Sequence, residues 1–235
     1  MDDVVGDVAS RCRDDARCST TYGDVRGTWT AAQSALGSTP IATSVEGQEI
    51  VVDETTLRHA ARWLVGWNSL GPQLLPELLA EAASGRAGRL LTLFAETLYA
   101  APPLCPGYLP KCESSDRVAT GAVLSTVCSS LAETADWSVA CDAWGVPATP
   151  ASIAPVGAIP TLALYGRFDP FSPPDQIRAE LGRLVPGAFV VEIPTLTHNV
   201  LGDECVRTIR NEWLAGALDA QPSVPSCLAG QLAFD

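Results

Sequence analysis

Pro160-Thr161-Leu162-Ala163-Leu164-Tyr165-Gly166-Arg167-Phe168-Asp169-Pro170 opens the stretch that decides the fold, and Ala188-Phe189-Val190-Val191-Glu192-Ile193 closes it. Each contains a short apolar run rich in residues that suit a strand. Between them Asp175 to Leu184 is amphipathic with a helical period. Strand, helix, strand at this spacing predicts a βαβ unit with parallel strands buried on both faces. A last helix, about Asp203 to Leu218, is expected to pack behind it. Two parallel strands are too few for a stable open sheet, so this region implies further strands that the chain does not obviously contain.

Upstream the texture changes. Residues 53–101 have a helical period, with Asp53 or Thr55 as cap of a helix through Leu57, Ala61 and Leu64. Leu74, Leu75, Leu78, Leu79 and Ala82 mark a second helix, and Leu90, Leu91, Phe94 and Leu98 a third. A further helix is expected from Asp116 towards Cys128. Such a group is either a separate α-domain or a lid inserted into another fold. Before it, one helix is expected through Val4, Val8 and Cys12, and another from about Tyr22 to Leu36. Ile41 to Val52 reads as a hairpin turning at Glu46-Gly47.

Composition sets outer limits. The chain has 235 residues, 47% of them hydrophobic, as in an ordinary globular protein. A net charge of −12 argues against nucleic acid as a partner, because phosphate binding needs a basic face. No stretch approaches the ~20 apolar residues of a membrane span, so no membrane partner is expected either. Eight cysteines fit an oxidising compartment. Yet Met1-Asp2-Asp3-Val4-Val5 is acidic where a signal peptide is basic, and no apolar signal core follows. One resolution is that an upstream part carrying the export signal is missing here; the alternative is a cytosolic protein with reduced cysteines.

In open α/β sheets, functional residues gather beyond the carboxyl ends of the strands. Asp169 follows the first strand and His198, in Leu196-Thr197-His198-Asn199, follows the second. A carboxylate orienting an imidazole is the supporting part of a serine-hydrolase triad, and Asp before His is the order of the α/β-hydrolase fold. Alone, an Asp in a Gly-x-x-Asp-Pro turn reads as a turn former. The joint pattern makes Asp169 and His198 the candidate catalytic pair. His59, the other histidine, reads as a surface residue. Metal-ligand spacings are absent, so no metal or cofactor is expected.

These stretches resemble a known family. Pro160 to Pro174 looks like the strand and acid loop of the tripeptidyl aminopeptidase-like serine peptidases, relatives of proline iminopeptidase. Thr197-His198-Asn199-Val200-Leu201-Gly202 resembles their histidine loop, and Cys205, Trp213-Leu214 and Pro225-Ser226-Cys227 their closing helix and tail. Cys141-Asp142-Ala143-Trp144 resembles the return from cap to core. The resemblance implies an incomplete α/β-hydrolase fold. Residues 1–52 lead into the cap, 53–146 form a helical cap, and 147–235 form the C-terminal hydrolase segment. It also implies a peptide substrate with a free N-terminus, an extracellular setting for the intact family, and cap carboxylates (Glu77, Glu81 and Glu96 are available) for the substrate's ammonium group.

One departure from the family outweighs the matches. No serine lies in a Gly-x-Ser-x-Gly elbow; the nearest approach, Gly66-Trp67-Asn68-Ser69-Leu70-Gly71, has its first glycine one residue too far and no strand before it. The expectation is a serine exopeptidase part that supplies Asp and His, lacks the nucleophile, and is inactive alone. The alternatives are a non-catalytic peptide-binding pseudoenzyme and a subunit that complements a separate N-terminal hydrolase half. Eight cysteines allow many pairings and sequence does not fix them. Position favours Cys12–Cys18, Cys105–Cys112, Cys128–Cys141 and Cys205–Cys227, with reduced pairs as the alternative.

Overall fold

A computed structural model of the chain describes residues 1–45, 48–100, 128, 138–145, 159–216, 218, 220–222, 226, 232 and 234. They fall into two compact units, Met1–Thr97 with Pro155–Asp235, and Leu98–Ala154. The architecture mixes helices with two small sheets, one antiparallel and one parallel.

The first unit begins with α1 (Asp2–Asp14), which buries Val4, Val5, Val8 and Cys12 on one face. Asp15 then turns the chain: its carboxylate accepts from the backbone N–H of Arg17 (3.0 Å) and Cys18 (2.8 Å) and so caps α2 (Ala16–Tyr22). This bend closes the Cys12–Cys18 disulfide, with Cα atoms 5.0 Å apart. Helix α3 (Val25–Ser38) buries Val25, Trp29, Ala32 and Leu36 at helical spacing. The expected hairpin follows as β1 (Ile41–Val45) and β2 (Gln48–Val52), with Val45 opposite Gln48; the turn residues 46 and 47 lie outside the described residues.

Asp53 caps α4 (Glu54–Trp67) through the Thr56 N–H at 2.8 Å. That hydrogen bond, together with one from the Thr56 hydroxyl, holds the Asp53 carboxyl below its usual range. Helix α5 (Gly71–Ala83) turns back tightly on α4, since a Cβ at Gly71 would lie 2.5 Å from the Leu64 carbonyl oxygen. Helix α6 (Gly88–Ala100) follows. The stripes read from sequence are the buried faces: Leu57, Ala61 and Leu64 in α4, Leu75, Leu78, Leu79 and Ala82 in α5. With α1, α3 and the start of α6 they form one continuous core.

In the second unit α7 (Ser138–Trp144) carries Cys141, disulfide-bonded to Cys128. The helix expected from Asp116 and the pair Cys105–Cys112 lie outside the described residues.

The decisive stretch folds within the first unit as β3 (Leu162–Gly166), α8 (Pro174–Leu184) and β4 (Phe189–Ile193), and the two strands are parallel with Leu162 opposite Phe189. A 3-10 turn (Val200–Gly202) leads to α9 (Glu204–Ala215). Val191 and Ile193 pack on Val206 and Ile209 of α9 as a second, smaller core. One expectation fails here. The strands are not buried on both faces: Leu162, Ala163 and Leu164 are only half-buried. Among the described residues no strand pairs with the outer side of β3, so water reaches it. Cys205 is disulfide-bonded, and its expected partner Cys227 lies outside the described residues.

Candidate functional site

The two loops beyond β3 and β4 are fixed to each other by backbone. Arg167 N–H donates to Ile193 O (2.9 Å) and Phe168 N–H to Leu196 O (3.0 Å). Phe168 is fully buried, and it belongs to the helical core rather than to the sheet's own small core. The residue before Asp169 therefore plugs the acid loop into the larger of the two apolar clusters among the described residues. Arg167, the residue before that, is clamped between two carboxylates. It donates twice to Asp7 of α1 (3.1 and 2.8 Å) and once to Glu192 of β4 (3.1 Å), and these bonds, Asp7 first, raise its pKa. Forked guanidinium–carboxylate pairs fix orientation as well as contribute energy.

On this base Asp169 and His198 meet. The Asp169 side chain is 6% exposed. One oxygen, Oδ1, accepts the N–H groups of Phe171 (2.8 Å) and Ser172 (3.0 Å), forming its turn. The other, Oδ2, lies 2.9 Å from His198 Nδ1. An ionised carboxylate only accepts, so the proton of this bond sits on Nδ1. Nε2 is left as an acceptor, with no hydrogen-bond partner among the described residues, on a side chain 34% exposed. The turn-forming role of Asp169 and its pairing with His198 are thus not alternatives: separate oxygens serve each.

Sequence reasoning did not single out what holds the imidazole from the other side. The end of α4 docks on the histidine loop, where the Gly66 carbonyl accepts from both the His198 N–H (3.2 Å) and the Thr197 hydroxyl (3.0 Å). The Trp67 and Phe171 rings stand edge-on to the imidazole at 5.1 and 5.0 Å. Trp63, one turn before Trp67, backs Phe171 at 5.4 Å. Phe171 comes so close to α4 that a Cβ at Gly66 would lie 2.1 Å from its ring. The signals in the sequence were the Trp63/Trp67 pair one helical turn apart and a bulky ring two residues after Asp169. Neither indicates that the histidine loop docks on the Gly66 carbonyl, through Thr197 131 residues away.

The remaining candidates are elsewhere. Ser69 stands exposed in the turn between α4 and α5, with no hydrogen bond to His198 or Asp169. Glu77 and Glu81 are engaged by Arg89, at 2.5 and 3.7 Å; the side chain of Glu96 lies outside the described residues. His59 is exposed and packs on Phe94, with ring centroids 5.8 Å apart. Among the described residues no group of three or more His, Cys, Asp and Glu side chains is placed to hold a metal ion, and no helix is long and apolar enough to cross a membrane. Chemically, the arrangement is an oriented imidazole backed by a buried carboxylate, able in its neutral form to take a proton at Nε2 and return it. Comparison of the chain with protein-family models, with curated proteins and with solved structures gives no match in any of the three.

Proposed function

We propose that this chain is the acid- and histidine-bearing part of a secreted serine exopeptidase of α/β-hydrolase type. In this reading it acts on peptides with free N-termini, and its nucleophile comes from a polypeptide segment other than these 235 residues. The observation that carries the reading is the 2.9 Å contact between His198 Nδ1 and Asp169 Oδ2, on the loops after two successive parallel strands. A carboxylate in that position holds the tautomer and stabilises the imidazolium as it forms. His198 Nε2 takes the proton of the incoming serine hydroxyl as its oxygen attacks the peptide carbonyl. The same proton then passes to the leaving amine as the carbon–nitrogen bond breaks. The likeness of the acid and histidine loops to the tripeptidyl aminopeptidase-like peptidases supports tripeptide release as the substrate class.

The test is turnover of a chromogenic tripeptide anilide. The purified chain is expected to show none that a serine-directed inhibitor abolishes. Co-expression with the coding sequence immediately upstream is expected to restore inhibitor-sensitive turnover, dependent on His198. Inhibitor-sensitive turnover by the chain alone would contradict the proposal. Stable tripeptide binding without turnover in the co-expressed pair would favour a non-catalytic binding module instead.

A further inference from the structure

The acid loop is held from outside its own sheet. Arg167, two residues before Asp169, donates Nε and Nη2 to the two oxygens of Asp7 and Nη1 to Glu192. Its backbone N–H is bonded to Ile193 O at the end of β4, so main chain and side chain are both fixed. One residue thereby joins α1, the acid loop and the strand that leads into the histidine loop. The helix that carries Asp7 is firmly seated. Its Val4, Val5 and Val8 are at most 1% exposed, and Asp2 at its start accepts from Trp29 Nε1 (2.8 Å) and Arg58 Nη2 (3.0 Å). The sheet below the acid loop offers less support, since among the described residues β3 pairs with β4 alone. Rigidity at Asp169 therefore comes from the helical body, through Phe168 inside its core and Asp7 at its rim.

This ion pair is poorly suited to a purely stabilising job. The Arg167, Asp7 and Glu192 side chains are 35, 29 and 22% exposed, and pairs open to water add little to stability. A fork at that exposure still sets direction, because two parallel bonds fix the plane of the guanidinium. Direction matters two residues on. Asp169 Oδ2 meets His198 Nδ1 at 2.9 Å, and such a bond weakens beyond about 3.2 Å, so the acid loop has little freedom to drift.

We propose that Asp7 and Arg167 are positioning residues for the acid–histidine pair: the α1 carboxylate, acting through the Arg167 fork, sets where Asp169 presents Oδ2 to His198. This rests on the reading of Asp169 and His198 as the acid and base of a hydrolase site, and it extends that site to a residue of the first helix.

The test reads exchange of the His198 Nδ1 proton with water in the full chain, with the ring neutral, because exchange requires the pair to open. In Asp7→Asn it is expected to be about fivefold faster than in the parent chain, with the urea midpoint little changed. Arg167→Lys keeps a charge between the two carboxylates but has no fork, and is expected to match Asp7→Asn. Asp7→Glu restores a carboxylate and is expected to bring exchange back to within about twofold of the parent. Asp3→Asn is the control. It removes the same charge from an exposed residue of α1 that does not bond Arg167, and is expected to leave exchange unchanged. The proposal is overturned if Asp3→Asn acts like Asp7→Asn, or if Asp7→Glu is no better than Asp7→Asn. It is equally overturned if Asp7→Asn lowers the urea midpoint and leaves exchange as in the parent, which is the pattern of a merely structural pair. The parent spectrum separates the two ideas. A neutral ring without an Nδ1 proton sinks the site reading, whereas an Nδ1 proton whose exchange ignores Asp7 and Arg167 sinks only the positioning role.

Discussion

Gly166→Ala is expected to cost the protein at least ~3 kcal/mol and to separate Asp169 from His198. An ideal Cβ at Gly166 lies 2.1 Å from the Thr197 carbonyl oxygen and 2.4 Å from that of Leu196. Ordinary contact needs about 3.5 Å, so the histidine loop must retreat by roughly 1.4 Å. Backbone has no rotamer to change, unlike the end of a flexible side chain. The same loop is bonded to the acid loop through Phe168 N–H and Leu196 O and to α4 through Gly66 O, so the displacement breaks bonds on both sides. Gly182→Ala is the control. It sits exposed in α8 with nothing within 4 Å of its Cβ, and alanine there is expected to be neutral or stabilising by up to ~1 kcal/mol. Urea denaturation of the two variants checks the contrast. Equal stability of Gly166→Ala and the parent chain would remove the close approach from the account.

Asp169→Ala is the second large effect, expected at about 2–4 kcal/mol. Truncation strands the N–H groups of Phe171 and Ser172 and leaves the His198 Nδ1 proton without its acceptor. Hydrogen bonds to a charged acceptor are the stronger kind, and this carboxylate is almost fully enclosed. Asp169→Asn is expected to cost less, because its amide oxygen still accepts both backbone N–H groups. Its amide nitrogen, however, donates to Nδ1 and moves the ring proton to Nε2, which removes the base. Stability retained with the proton displaced is the pattern that separates the two jobs of Asp169. A loss below about 1 kcal/mol for Asp169→Ala would show that the turn holds without it.

The sequence was legible wherever a local period decides the structure. Val4, Val8 and Cys12, and Leu75, Leu78, Leu79 and Ala82, are buried faces because a helix repeats every 3.6 residues and one stripe must face the core. The Cys12–Cys18 and Cys128–Cys141 pairs span short separations, 6 and 13 residues, and the first is closed by the bend at Asp15. That Asp169 and His198 come together was legible because the chemistry of their types and the order of their strands converge. Contacts set by distant packing were not. Asp7 reaches Arg167 across 160 residues, and nothing about an aspartate in a first helix marks it as the anchor of an acid loop. Gly66 entered the reading only as a failed elbow, whereas its carbonyl and its missing Cβ are what bring α4 onto the histidine loop. The strand edges show the converse. Short apolar runs marked the strands, but their half-burial depends on what lies beside β3, which no local pattern encodes.

The tautomer of His198 is the measurement closest to the central claim, that Asp169 holds this imidazole as a base with Nε2 open. Nitrogen-15 spectra of the neutral ring in the full chain are expected to show the proton on Nδ1, shifted downfield by its bond to the carboxylate, and to lose that signal in Asp169→Ala. A neutral ring protonated on Nε2, or an Nδ1 proton unchanged by Asp169→Ala, would contradict the account.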